Sequence, residues 1–237
     1  MRKWRSAAGL FILTSTMALA AEGSAKQWIQ VIKTDRADFA PGGTIHVSGS
    51  HGDLNIEGWD RPEVEITVTK STVGLYASKD AEEARKRLDL IAVRLERKST
   101  AELTIATDFP SRTLKRLCRG KSDIILQYQI HVPRDSQLII HHGTGTVLVS
   151  GVAGDVEARA RAGDIVLMLP GSEGYSIDAK VQFGGIDSDL GGASNHKGIV
   201  GHRLAFAPSA AKHKLVLRMG TGSISVQALP DQFRTAP

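Results

Sequence analysis

Eight histidines in the 237-residue sequence could do chemistry, because a neutral imidazole is a common metal ligand. His141 and His142 are adjacent, and adjacent side chains on a strand point to opposite faces, so these two cannot share one ion. His46, His51 and His131 could approach them only from other strands. We therefore predict surface or partly packed histidines and no metal site.

Aspartates that follow glycines suggest a second kind of site. Asp53, Asp155 and Asp164 stand at Gly-Asp corners, which resemble those of calcium-binding β-rolls. Such rolls need a denser pattern, with several oxygen ligands for each ion. A single Asp at each corner instead favours an Asx-type turn, in which the carboxylate caps local amides.

A third possibility is glycoside cleavage by a pair of carboxylates. Asp178, Asp187 and Asp189 could line an outer face, but this chemistry needs two carboxylates at a fixed separation, usually with aromatic platforms for the sugar. The chain has only three Trp and three Tyr, and it has no GxSxG nucleophile motif. We predict no catalytic and no cofactor-binding residues, and a carbohydrate-active enzyme stays the alternative.

The single cysteine, Cys118, excludes an internal disulfide. It lies in the basic segment TLKRLCRGKSD, where neighbouring positive charge could lower the thiol pKa. A half-buried, unreactive thiol in a basic loop is the simpler interpretation.

Five basic side chains are predicted to point outward from strands: Arg159, Arg161, Lys180, Lys214 and Arg218. If their strands stack in register, they form a basic stripe that could contact an anionic glycan or lipid phosphate. The alternative is a solvated face on which Glu157 and Asp178 are mixed with the cations. The five residues are our candidate binding face.

The strands that would position these residues are most evident between Gly143 and Leu169. Three runs, TVLVS, DVEARA and DIVLML, follow one another at a spacing of about nine residues, each after a glycine corner. In the second run Val156, Ala158 and Ala160 alternate with charged residues, as in a strand buried on one face. This pattern predicts stacked, repeating strands.

Similar alternation flanks this segment on both sides. Before it, the sequence predicts a hairpin of 93–98 and 102–107 and a long strand over 124–132. A helix is predicted from Ser78 to Ile91, with Asp80 as its cap and Glu83 as the capping-box partner. After it, residues 191–202 are predicted to form a loop, and GTGSISV at 220–226 repeats the earlier GTGTVLV.

The N-terminus has the features of a secretory signal peptide. Arg2, Lys3 and Arg5 precede a short apolar run, and Ala18-Leu19-Ala20 is a small-x-small cleavage site. This peptide carries three of the 30 basic residues and none of the 25 acidic ones, so the net charge falls from +5 to about +2. Export and near-neutral charge argue against nucleic-acid binding, and no other stretch is long and apolar enough to span a membrane.

Three segments together resemble a known family: GDLNIEGWDRPEVEI, IHVPRDSQLII and the GDVEA…GDIVL repeat. They are similar to the family named "putative adhesin", exported bacterial β-repeat domains of unknown function that are related to head-GIN domains. The resemblance covers about residues 44–226, and it implies a right-handed β-solenoid or β-roll with an inserted helix. It implies no catalytic residues.

These observations predict an all-β, solenoid-like stack of short strands with one amphipathic helix. We divide the chain into a signal peptide (1–20), an N-terminal segment (21–43), a β-solenoid adhesin-like domain (44–227) and a C-terminal tail (228–237). The predicted function is an exported, non-enzymatic protein, periplasmic or at the cell surface, that binds an envelope glycan or protein. A structural envelope-stress component without a ligand is a further alternative.

Overall fold

The computed structural model describes residues 26–108, 124–171, 174–191, 193–195 and 201–229. The predicted signal peptide, Cys118 and most of the predicted C-terminal tail lie outside these residues. The described chain forms one helix and thirteen strands. Their bounds are β1 Gln30–Asp38, β2 Thr44–Gly49, β3 Asp53–Trp59, β4 Glu63–Thr72, α1 Ser78–Asp89, β5 Ala92–Ser99, β6 Glu102–Asp108, β7 Ile124–Pro133, β8 Gln137–Ser150, β9 Val156–Leu169, β10 Tyr175–Ser188, β11 Ala193–Asn195, β12 His202–Phe206 and β13 His213–Ala228.

The strands join in one large mixed sheet, which does not close on itself. Strands β2, β3, β8, β9, β13 and β10 pair in parallel, whereas β1–β4–β7, β5–β6 and β10–β12–β11 pair antiparallel. The all-β prediction with one helix is thus confirmed. The right-handed solenoid stays a prediction, because antiparallel pairs flank the parallel stack and the last strand, β13, lies between β9 and β10.

The central strands are longer than the sequence pattern predicted. DVEARA and DIVLML are the two halves of the single strand β9, and TVLVS is the second half of β8. The prediction that Gly163 separates two strands is therefore wrong. Gly163 has φ +122°, so the strand bends there while its hydrogen-bonded ladder continues.

Glycines are stacked at this bend in four neighbouring strands. Gly145, Gly163, Gly222 and Gly184 are successive in-register partners on β8, β9, β13 and β10. A Cβ on Gly163 would lie 2.1 Å from the carbonyl oxygen of Gly145, and one on Gly222 would lie 1.6 Å from that of Gly163. We call these four residues the glycine stack. Only glycine fits there, because the atom in the way belongs to backbone.

The inward face of the stack is an aliphatic core. In-register rows such as Leu138–Val156–Leu215–Ile177 are buried across β8, β9, β13 and β10. The next row alternates large with small side chains as Ile140, Ala158, Leu217 and Ala179. Interdigitating aliphatic layers of this kind hold the long strands in register, and so fix which outward side chains are neighbours.

The helix α1 covers the core at the β1 end of the sheet. Its buried residues Ala84 and Leu88 pack with Ile29, and the ammonium group of Lys70 donates hydrogen bonds to the carbonyl oxygens of Leu88 (3.1 Å) and Ile91 (2.7 Å). The predicted capping box is wrong. Ala77 is the N-cap residue and no side chain caps the helix, because Asp80 already lies in the first turn.

The predicted hairpin and long strand are confirmed as β5–β6 and β7. The predicted loop over 191–202 is wrong in part, since β11 and the start of β12 lie within it. Strand β12 pairs with β10 through a buried Leu204, and this pairing brings the outward residue next to it, Arg203, beside Lys180.

Candidate functional site

A row of basic side chains crosses the outward face of the parallel stack. In successive in-register pairs, His141 on β8 lies beside Arg159 on β9, then Arg218 on β13, Lys180 on β10 and Arg203 on β12. We call these five residues the cationic row. The alternation of each strand turns their side chains away from the core, and the register of the core places them level with one another.

Like charges directly opposite one another on neighbouring strands destabilise a sheet. Two carboxylates in the adjacent row offset part of this repulsion. Glu157 accepts a hydrogen bond from Nε of Arg159 (2.9 Å), and Asp178 accepts one from Nη2 of Arg218 (2.5 Å). The row nevertheless has more cations than neighbouring carboxylates.

The carboxylate of Asp178 forms ion pairs with two cations of the row, Arg218 and Arg203. Burial by itself would raise the pKa of Asp178, but the hydrogen bond and charge of Arg218 and the charge of Arg203 outweigh it, so the pKa lies below its ordinary value. Arg218 also donates to the Asp178 carbonyl oxygen (2.6 Å), and Arg203 lies 3.3 Å from the Asp178 carboxylate. Arg218 is thus fixed in position with its charge largely compensated.

The positive charges of Lys180 and Arg161 are the least compensated by neighbouring carboxylates. Both side chains are exposed, and among the described residues neither forms an ion pair with a carboxylate. Arg161 is two positions beyond Arg159 on the same face of β9, and its Nη2 lies 3.3 Å from the Thr144 hydroxyl. These two cations are the ones most available to an anion from solution.

An open groove with a volume of about 930 Å³ is lined by Arg161 and by four members of the row, His141, Arg159, Lys180 and Arg218. Four glycines, Gly49, Gly143, Gly201 and Gly220, contribute backbone but no side chain to its surface. Gly143 and Gly220 must be glycine, since a Cβ on them would lie 2.2 Å from the Ser50 oxygen and 2.4 Å from the Arg161 oxygen. We call this site, with Arg159, Arg161, Lys180 and Arg218 along it, the basic groove.

Four of the five sequence-predicted residues therefore lie in one groove. The fifth, Lys214, does not line it. It is four residues before Arg218 on β13, about 13 Å away along the strand. His141 and Arg203 also belong to the row, although the sequence pattern did not predict them as members. Leu204 and Phe206 alternate with Arg203 and Ala205, and this apolar pair two residues apart is the signal that could have identified Arg203 as outward.

The two adjacent histidines lie on opposite faces, as predicted. His141 is exposed, whereas His142 is buried against the corner and its Nε2–H donates to the carbonyl oxygens of Gly52 (2.8 Å) and Thr144 (3.1 Å). Burial lowers the pKa of His142, although both hydrogen bonds oppose this shift. Within the described residues no cluster of three His, Cys, Asp or Glu side chains could hold a metal ion.

The Gly-Asp corners differ from the predicted local Asx turns. Each carboxylate accepts a backbone hydrogen bond from a residue distant in sequence: Asp53 from Thr146 (3.0 Å), Asp155 from Lys214 (2.9 Å) and Asp164 from Ser223 (3.1 Å). These aspartates therefore connect neighbouring segments of the stack. Their geometry explains the recurrence of Gly-Asp without an ion.

The predicted catalytic alternative finds little support in the position of its carboxylates. Asp178 is engaged by Arg218 and lies in the first half of β10, whereas Asp187 lies beyond the Gly184 bend in the second half. Trp59, which could have offered a sugar platform, stacks on His131 at a ring-centroid distance of 5.0 Å and also contacts Arg61. The basic groove is the better-supported site.

In the described part of the chain, no helix has the length and apolar character needed to cross a bilayer.

No family model matches the sequence, and no curated protein matches it. Among solved structures, a "putative cell adhesion protein" from Clostridium sporogenes is 13% identical, with a TM-score of 0.48 over 84% of this chain and 100% of its own. A "putative adhesin" from Parabacteroides distasonis is 11% identical, with a TM-score of 0.23 over 83% and 97%. A "putative lipid binding protein" from the same species is 8% identical, with a TM-score of 0.24 over 83% and 94%.

Two of these three neighbours have names that agree with the adhesin resemblance, but all three TM-scores lie below 0.5 and all three identities below 25%. Neither the family nor its relation to head-GIN domains is established by them.

Proposed function

We propose that this chain is an exported, non-enzymatic, adhesin-like protein that binds an anionic component of the cell envelope or extracellular matrix through the basic groove. The binding region is the domain at 44–227, in which solenoid-like stacking of bent strands places outward side chains in straight rows. The signal peptide at 1–20 delivers the chain to the periplasm or cell surface.

One observation supports the proposal above all: the cationic row places His141 and four strong cations in register on adjacent strands, and only two carboxylates, Glu157 and Asp178, stand beside it. Such an arrangement costs stability in the free protein. A sequence that tolerates a local cost of this kind usually does so at a functional site. An anionic ligand removes the repulsion, because its negative charges lie between the aligned cations.

The test compares two charge-matched double variants. Arg161→Gln with Lys180→Gln removes the two least compensated cations of the groove. Lys33→Gln with Lys86→Gln removes two exposed cations from β1 and α1, outside it. The chain is purified from the compartment to which it is exported, and its binding to envelope fragments of the producing cell is measured by cosedimentation.

The groove variant should lose most of the binding, and the control variant should keep it. Equal binding by the two variants would contradict the proposal. The groove variant should also unfold at a slightly higher denaturant concentration than the natural chain, since the repulsion relieved is about 0.5 kcal/mol. A groove variant that is at least as stable as the natural chain cannot have lost its binding through misfolding. Cell fractionation tests export, and a chain retained in the cytoplasm would contradict that part.

A further inference from the structure

We infer that the ligand of the basic groove is a linear acidic polysaccharide with one carboxylate on each sugar, bound across the strands. This inference rests on the proposed function and names the class of ligand that the groove takes.

The cations are spaced across the strands at a distance that matches the sugars of an extended polymer. Neighbouring strands in a sheet are about 4.8 Å apart. Arg159, Arg218 and Lys180 lie on three consecutive strands, so their attachment points repeat at this distance along a line perpendicular to the strands. The length of one sugar in an extended polymer is close to this repeat. Carboxylates of a polyuronate can therefore lie opposite successive strands. There Lys180 has no carboxylate partner among the described residues, and the Arg159 and Arg218 guanidinium groups, although paired with Glu157 and Asp178, have further N–H donors.

The groove is long enough for several sugars of a polymer. Its lining runs from Gly49 at the end of β2 to Gly201 just before β12, with β8, β9, β13 and β10 between them. Six strand positions correspond to five separations, or about 24 Å. A segment of about five sugars spans this distance, whereas a free monosaccharide meets only one or two of the cations.

The residues that line the groove favour an acidic sugar over a neutral one. Backbone at Gly143 and Gly220 forms part of the surface, and the described residues that line the groove include no Phe, Tyr or Trp. Neutral sugars are commonly held by stacking on such rings, which this described lining does not supply. Guanidinium and ammonium groups along the groove instead provide charge-assisted hydrogen bonds to carboxylates.

An anionic bilayer fits this face less well than a polymer chain. The cations follow one line along a concave groove, and a bilayer presents a broad surface. Among the large exposed apolar side chains of the described residues, only Phe183 lies on one of the strands that line the groove. One such side chain gives little insertion into lipid, because interfacial binding scales with the apolar area buried.

The experiment is calorimetric titration of the exported chain with oligogalacturonates of increasing length. Affinity should rise steeply with length up to about five sugars and then level off, since the groove is about 24 Å long. It should fall with added salt, because the contacts are between charges. The Arg161→Gln/Lys180→Gln variant should bind about tenfold more weakly, whereas Lys33→Gln/Lys86→Gln should bind as the natural chain does.

Matched probes identify the class of ligand. Methyl-esterified polygalacturonate has the same backbone without the charges and should not bind, and vesicles of phosphatidylglycerol in phosphatidylcholine should bind no more tightly than the galacturonate monomer. Binding of the ester as tight as that of the acid would overturn the inference, as would tight vesicle binding without binding of the oligosaccharides.

The two proposals fail in different ways. If envelope fragments are bound through the groove but polygalacturonate neither binds nor competes, the ligand class is wrong and the proposed function stands. If envelope binding does not depend on the groove cations, the proposed function itself is wrong.

Discussion

Replacing Gly163 by alanine should destabilise the chain strongly, although it adds only one methyl group. Gly163 is in the middle of the glycine stack, with φ +122° and with the Gly145 carbonyl oxygen 2.1 Å from the position of a Cβ. A residue forced into this backbone region costs about 1–3 kcal/mol. Relief of the clash requires β8 and β9 to separate, which weakens two or more ladder hydrogen bonds at about 1 kcal/mol each.

Together these costs amount to about 4 kcal/mol, a large part of the roughly 5–15 kcal/mol that stabilises a typical domain. The free energy of unfolding is measured by guanidinium denaturation followed by far-UV circular dichroism. At about 2–4 °C for each kcal/mol in a chain of this size, the melting temperature should fall by about 10 °C.

Two control variants separate the causes. Gly185→Ala lies on β10 beside the stack, has no positive φ and places its Cβ in open space, so it should be nearly neutral. Gly42→Ala has φ +76° but no atom within 4 Å of its Cβ, so it should show the backbone cost alone, about 1–2 kcal/mol. If Gly163→Ala lies within about 1 kcal/mol of Gly185→Ala, the account of the glycine stack is refuted.

Two further predictions concern buried polar groups. Lys70→Met should lower the free energy of unfolding by about 2 kcal/mol, because the carbonyls of Leu88 and Ile91 lose the ammonium group as a donor and Leu88 keeps only the Ile91 N–H; an unchanged denaturation midpoint would show that water replaces Lys70. Burial lowers the pKa of His142, so the unfolded chain takes up a proton below about pH 6.5 that the folded chain binds only at lower pH. Stability should therefore decrease as the pH falls below about 6.5 and level off at the folded pKa. His142→Gln should flatten this decrease, whereas His141→Gln should not, and equal slopes in both variants would contradict the assignment.

Local alternation predicts which side chains are buried, because it depends only on neighbours in the chain. Val156, Ala158 and Ala160 are inside and Arg159 and Arg161 outside, as the pattern indicated. Alternation does not show whether a glycine ends a strand or bends it, and this is why Gly163 was misread as a separator. The distinction depends on the neighbouring strand, whose Gly145 leaves room for the bend.

Register between distant strands is the part of the site that the sequence does not determine. The cationic row exists because β13 is inserted between β9 and β10, which places Arg218 between Arg159 and Lys180. Core packing over the whole length of these strands sets that order. The echo of GTGTVLV in GTGSISV reflects the equivalent places of Gly145 and Gly222 in the glycine stack, but it does not show that β13 lies between β9 and β10.

The central claim is that the aligned cations form the binding surface, and mapping of ligand contacts by NMR tests it most directly. Backbone amide shifts of the labelled chain are followed during titration with an oligogalacturonate of about five sugars, the length of the groove. The account predicts the largest changes around Arg159, Arg161, Lys180 and Arg218, with Lys214 and the α1 amides little affected. Changes centred on Trp59 and Arg61, or spread evenly over exposed cations, would contradict it.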